Sequence, residues 1–280
     1  MKKYYRFIFL LISIVWFEPV VLAQTTSFKM VVDELQQLKK QLVPDKRQAI
    51  LEIDFRDTLQ PQVVVFGETD LPAAKQQLVN FLKGKKISFV DSIRVLPDEK
   101  VGEKTWALVN LSVANLRAKP GDASELVSQA LLGTPLKVLD YSNKWYRVQT
   151  PENYIGYLDA GGLQTFTAQE LESWKKADRW VFNRIAGFIY DSPNEMGQII
   201  SDVVLGDIMV VLTTVPDWLK ISFPDGRTGF VNRADCIHYP DWVNLQMDAN
   251  QLLRTARQMM GFPYLWGGTS SKGMDCSGFV

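Results

Sequence analysis

The sequence is poor in the residues that most often carry metal and redox chemistry, with one histidine, two cysteines and no C-x-x-C spacing in 280 residues. A single imidazole and two thiols do not complete a structural zinc shell, so no metal site and no cofactor is expected. Charge is balanced, 31 Lys and Arg against 31 Asp and Glu, which leaves no basic field for nucleic acid. Low-complexity tracts are absent, and 46% hydrophobic with 22% charged residues is a globular composition. The longest apolar run, Phe7 to Phe17, is too short to span a bilayer comfortably.

That run, preceded by Lys2, Lys3 and Arg6 and followed by Val21-Leu22-Ala23, reads as a secretory leader over residues 1–23, with an uncleaved anchor as the alternative. No cysteine follows it to take a lipid. The remaining chain carries 28 basic against 30 acidic residues and no stable membrane span. Export to the periplasm, the cell envelope or the medium is expected. Two cysteines in an exported chain admit a Cys236–Cys276 disulfide. Against it stands the setting of Cys276, after a glycine-rich turn and at the start of an apolar run, where a helix N-terminus favours the thiolate.

Periodicity predicts a helix over Ser27 to Leu42, then strands over Gln48 to Phe55 and Pro61 to Phe66. A helix capped by Asp70 and ending at Gly84 follows, and then a strand from Ile87 to Val95. This is a small α+β unit, residues 24–104, ending in a charged linker and assigned to packing, gating or contact with another envelope protein. Sliding the chain against itself by 73 residues overlays Val113–Leu158 on Ala186–Val231, with nine identities in 46 positions. Trp145/Trp218, Gly133/Gly206 and Pro151/Pro224 are among them. Short alternating runs broken by turn residues predict two β-barrels, residues 105–166 and 179–243. A helix at 167–178 joins them, opened by the capping box Thr167-x-x-Glu170, and is expected to fix their relative pose. A last helix capped by Asp248 is expected to bury Leu252, Ala256, Met259 and Met260.

The first barrel copy resembles a bacterial SH3 domain, and the second is a more divergent relative. Residues 244–280, with Pro263-Tyr264-x-Trp266-Gly267-Gly268 and Asp275-Cys276-Ser277-Gly278-Phe279, resemble the N-terminal part of an NlpC/p60 cysteine peptidase, a papain-like α+β domain. The fold class is therefore a multidomain α+β chain. The combination is similar to enzymes that cleave γ-D-glutamyl-diamino-acid bonds in cell-wall peptides.

The resemblance implies Cys276 as nucleophile and Tyr264, in a buried setting, holding the oxyanion or substrate. Asp275 would meet the substrate's free amine, Ser277 would stand beside the oxyanion, and Trp266 would line the site. Glu125 and Tyr157 of the first barrel would read the amine. The second copy has Gln198 and Phe230 at those positions. Singly, Tyr264 and Trp266 are more often core aromatics, Asp275 also reads as a helix cap, and Glu125 and Tyr157 are equally readable as surface and packing residues. In that family the imidazole base and its orienting group follow the cysteine. The resemblance thus implies a peptidase domain incomplete at its C-terminus and inactive as it stands, with Leu265, Trp266, Phe279 and Val280 partly exposed. His238 precedes Cys276 and is expected at the surface. The alternative is a non-catalytic peptidoglycan-binding protein whose SH3-like pair is the working part.

Overall fold

The computed structural model describes residues 18–56, 62–246 and 248–280. The expected leader lies outside these residues except for its last six positions. Those belong to helix α1, Glu18–Leu42, which begins nine residues before the expected Ser27. Pro19 falls in its first turn, where a missing N–H costs nothing.

Strands β1 (Leu51–Arg56) and β2 (Val63–Thr69) pair antiparallel. Helix α2 (Pro72–Gly84) then carries the chain over to β3 (Phe89–Val95), which runs parallel to β2. A parallel neighbour requires such a crossover. Leu35 of α1, Leu78 and Leu82 of α2, and Ile53, Val65 and Ile93 of the sheet form the core of this unit. The expected cap at Asp70 is not made. Leu71 occupies the cap position with no side-chain bond, while Asp70 accepts from the Ile50 N–H at 2.7 Å. Its carboxylate thus ties the entry to β1 to the end of β2.

The charged stretch after β3 is pinned rather than free. Asp98 N–H donates to Leu139 O at 2.9 Å, and Lys100 pairs with Asp140 at 2.8 Å. Arg94 reaches Glu68, Asp98 and Asp140, and Glu68 also takes Arg147. Ile50, Leu96 and Leu139 pack beneath this network. The small unit is therefore docked on the barrel that follows.

That barrel comprises β4 (Trp106–Val109), β5 (Val113–Arg117), β6 (Leu126–Leu131), β7 (Pro135–Ser142), β8 (Trp145–Gln149), β9 (Ile155–Asp159) and β10 (Leu163–Phe166). Helix α3, Ala168–Lys176, leads onward with both bonds of its Thr167/Glu170 capping box formed and Leu171 buried. The second barrel comprises β11 (Arg179–Phe182), β12 (Ala186–Tyr190), β13 (Ile199–Val204), β14 (Ile208–Val215), β15 (Trp218–Ser222), β16 (Thr228–Asn232) and β17 (Cys236–His238). Every strand from β4 to β9 recurs 73 residues later with the same length, and the strand order is the same. Even the register shifts recur, at Leu116/Arg117 and Ile189/Tyr190 and at Val138/Asp140 and Val211/Thr213. The duplication is carried by backbone geometry more fully than by side-chain identity.

Helix α3 is not the main joint between the barrels. Leu132 of the first barrel is buried in the core of the second, beside Phe182, Val203 and Met209. The Leu132 N–H donates to Asp207 Oδ1 at 3.0 Å, and Ile208 N–H returns to Leu132 O at 2.9 Å. Gly133, at φ +75°, lets the backbones touch: a Cβ there would lie 2.4 Å from Ile208 O. Arg227 adds a bond from Nη2 to Asn110 O at 2.8 Å.

After β17 come α4 (Tyr239–Val243) and α5 (Ala249–Gln258), the latter with its Asp248/Gln251 capping box complete. The expected burial of its apolar face does not occur. Leu252 and Met260 are exposed and Ala256 and Met259 only half-buried, because no described element packs on that face.

Candidate active site

Backbone bonds lace the two glycine-rich runs together. Leu265 N–H donates to Met274 O at 3.1 Å, Gly268 N–H to Leu265 O at 2.9 Å, and Asp275 N–H to Gly268 O at 3.0 Å. Tyr264 bridges Met274 in parallel, and β18 (Thr269–Ser270) pairs with β19 (Gly273–Met274) as a tight hairpin. Helix α6, Cys276–Phe279, starts immediately after it.

Asp275 is the N-cap of α6. Its Oδ1 accepts from Ser277 N–H at 2.9 Å, Gly278 N–H at 2.8 Å and the Ser277 hydroxyl at 2.7 Å. Its Oδ2 accepts from Gly267 N–H at 3.1 Å. The Ser277 hydroxyl foremost, then the Gly278 N–H, holds this carboxyl below the usual aspartate range. One carboxylate thereby orders both the helix start and the turn ahead of it.

Cys276 is the first helical residue, exposed and free, and its own N–H makes no hydrogen bond among the described residues. A thiol there is accessible, beside an unpaired backbone donor that can meet a developing oxyanion. Cys236 is the opposite case. It is buried in the second barrel's core, and burial pushes its thiol up to about 12. The two cysteines form no disulfide.

The segment is held on both barrels. Thr269 N–H and the Ser270 hydroxyl donate to Gln129 Oε1 at 3.0 and 2.9 Å, and the Thr269 hydroxyl donates to Gln129 O at 3.2 Å. Asn115 holds the Gln129 amide from behind at 3.0 Å. Lys272 reaches the second barrel's Asp202 at 2.5 Å and the first barrel's Ser112 at 2.9 Å, while the Ser271 hydroxyl donates to Ile185 O. Gly267, at φ +72°, sits so close to Leu126 that a Cβ would lie 2.6 Å from its carbonyl oxygen. A cavity of about 350 Å³ remains between β6 and this segment, walled by Gln129, Thr134, Glu152, Asp275 and Ser277.

Glu125 and Trp266 are brought together, with the indole Nε1–H donating to the carboxylate at 3.1 Å. Trp266 is 63% exposed and Tyr264 66%, so neither is a core aromatic, and the buried setting expected for Tyr264 is not what the fold provides. The Ser277 hydroxyl is turned to Asp275 rather than free beside Cys276. Tyr157 stands apart from this group. Its ring lies under the Arg147 guanidinium at 5.7 Å, on the wall of a cavity shared with the N-terminal unit, and burial raises its phenol. His238 is at the second barrel's end, 3.1 Å from Asp178 and beside the Trp180 ring.

Gln129, Ser112, Asp202 and Lys272 were not legible as site residues. One sequence signal was available. Gln129 and Asp202 are equivalent positions of the repeat, as are Ser112 and Ile185, so a single segment is received at matching places on both copies.

Residues 112–164 match the family model of the bacterial SH3 domain. The chain is 28% identical over 182 residues to dipeptidyl-peptidase 6 of Lysinibacillus sphaericus, covering 61% of this chain and 66% of that one. It is 27% identical over 166 residues to the γ-D-glutamyl-L-lysine dipeptidyl-peptidase of Bacillus cereus, covering 57% and 50%. Among solved structures, an NlpC/P60 family protein from Bacillus cereus superposes with a TM-score of 0.52 at 22% identity, covering 62% of this chain and 70% of that one. This likeness supports the multidomain α+β fold. The chain spans about half to two thirds of the length of the curated relatives it matches. Among the described residues, no helix is long and apolar enough to cross a membrane.

Proposed function

We propose that the chain belongs to an exported cysteine peptidase acting on γ-D-glutamyl-diamino-acid bonds of cell-wall peptides. The observation that carries this reading is the exposed Cys276 at a capped helix start, fixed against an SH3-type barrel. The names of the relatives supply the substrate class. Cys276 Sγ attacks the peptide carbonyl, and its own N–H, with the Tyr264 hydroxyl, receives the oxyanion. Trp266, held by Glu125, walls the substrate on the barrel side. Asp275 orders the helix start and offers its carboxylate to the substrate amine, with Ser277 completing the turn.

Turnover also needs a base to take the thiol proton and return it to the leaving amine. His238, engaged by Asp178, is not placed for that role. The alternative reading, a wall-binding protein without turnover, is favoured by that engagement alone.

Two measurements separate the readings. At pH 8, iodoacetamide should modify Cys276 at least about a hundredfold faster than Cys236, since the buried thiol is almost wholly protonated there. In the full-length form, which supplies the base, hydrolysis of L-Ala-γ-D-Glu-diaminopimelate should be lost in Cys276→Ala. Turnover unchanged by that substitution would overturn the peptidase reading, and peptidoglycan retention without thiol selectivity would favour the alternative.

A further inference from the structure

Between the N-terminal unit and the first barrel lies a cavity of about 730 Å³, within the range that holds a small peptide. None of residues 244–280 lines it. We propose that this cavity is a second binding site, separate from Cys276, for a peptide bearing a free carboxylate, with Arg147 as its anchor and Lys40 and Lys46 at its rim.

Arg147 is 91% buried and forms one wall. Its Nη1 is taken by Glu68 and its Nη2 lies 3.8 Å from Glu52, but its Nε–H is buried with no hydrogen-bond partner among the described residues. A buried charged donor left unpaired is costly, and a ligand carboxylate is the group that fits an arginine edge. Lys40 and Lys46 line the same cavity and make no ion pair among the described residues. Lys39, beside them, donates to Ile53 O at 2.8 Å, and the carboxylates on the same wall, Glu52, Asp54 and Glu68, leave Lys40 and Lys46 as the cations without an ion-pair partner among the described residues.

The repeat supplies an independent control. The Arg147–Tyr157 stack recurs in the second barrel as Lys220 over Phe230, at 5.9 Å against 5.7 Å. That copy has kept the cation-on-ring packing but has neither the guanidinium fork nor the phenol hydroxyl. The polar version stands only where the N-terminal unit roofs it. Packing alone would be served by either pair.

The test uses the 280-residue chain and calorimetric titration with L-Ala-γ-D-Glu-L-Lys and with the same peptide amidated at both carboxyls. The free acid should bind, and the diamide should bind at least about tenfold more weakly. Lys40→Glu with Lys46→Glu, exposed positions that leave the fold intact, should weaken the acid by a similar factor. Arg147→Lys, which keeps charge but not the Nε edge, should do the same if it remains folded by circular dichroism. The binding event lost with the lysine pair should persist in Trp266→Ala, which removes only binding at the Cys276 segment. The proposal is overturned if the acid does not bind, if the diamide binds as well, or if binding is lost in Trp266→Ala instead of the lysine pair. Loss of Cys276 alkylation selectivity would count against the peptidase reading without touching this site.

Discussion

The two barrels share strand lengths, order and bulges, yet they are used differently. The first carries a docked N-terminal unit on one side and the Cys276 segment on another. The second lends Asp202, the Ile185 carbonyl and a hydrophobic socket for Leu132. A duplicated scaffold keeps its backbone while its surface residues diverge, because barrel closure depends on pleat, twist and turns rather than on outward side chains. The differences between the copies therefore point to function, and the similarities point to folding.

The sharpest way to break the comparison is at an identical pair. Leu132→Ala should cost about 2–5 kcal/mol, because it empties a place in the neighbouring core, whereas Leu205→Ala, only half-buried, should cost about 1 kcal/mol or less. Urea unfolding of both variants measures this, and equal losses would mean the barrels are not joined through Leu132.

Asp207 offers the next largest contrast, since Thr134 holds its place in the first copy. Burial raises its carboxyl well above the ordinary value, against the two backbone N–H bonds from Val204 and Leu132 that lower it. The native state keeps the proton longer than the unfolded chain does. This contribution to stability is therefore full below the unfolded value and is lost as pH rises through the native one. Asp207→Asn should flatten the dependence of Tm on pH across that window, and should itself cost about 1–3 kcal/mol by giving up one acceptor. A Tm profile parallel to that of the unmodified chain would refute the assignment.

Much of this was readable in advance, and unevenly. The repeat, both capping boxes and the Tyr-x-Trp-Gly-Gly and Asp-Cys-Ser-Gly runs are local patterns, so they are visible in residue order. The role of Asp70 was misread because a cap and a strand tie use the same side chain two positions from the same helix. Leu132 looked like any barrel leucine, since nothing in its neighbours tells which barrel receives it. Gln129 meets Thr269 and Ser270, and Lys272 meets Ser112, across more than a hundred residues, and only the folded hairpin brings them to one place.

Smaller effects should sharpen the picture at the site. Asp275 is lowered by the Ser277 hydroxyl and the Gly278 N–H, so its cap is complete above the unfolded value and loosens as pH falls through the lower, native one. The amide shifts of Ser277 and Gly278 should titrate together below the usual aspartate range, and shifts flat with pH would deny the cap. Glu125→Gln should cost the indole bond no more than about 1 kcal/mol and raise Trp266 mobility, read by fluorescence anisotropy, while Gln198→Glu in the second copy should leave it unchanged.

The hairpin at 269–274 is fastened at matching places on two copies of one domain. A single fastening would leave the segment free to swivel about it; two set its heading as a beam is set by two bearings. The direction in which Cys276 points is thus inherited from the angle between the barrels. Any residue that alters that angle, however far from the thiol, re-aims it.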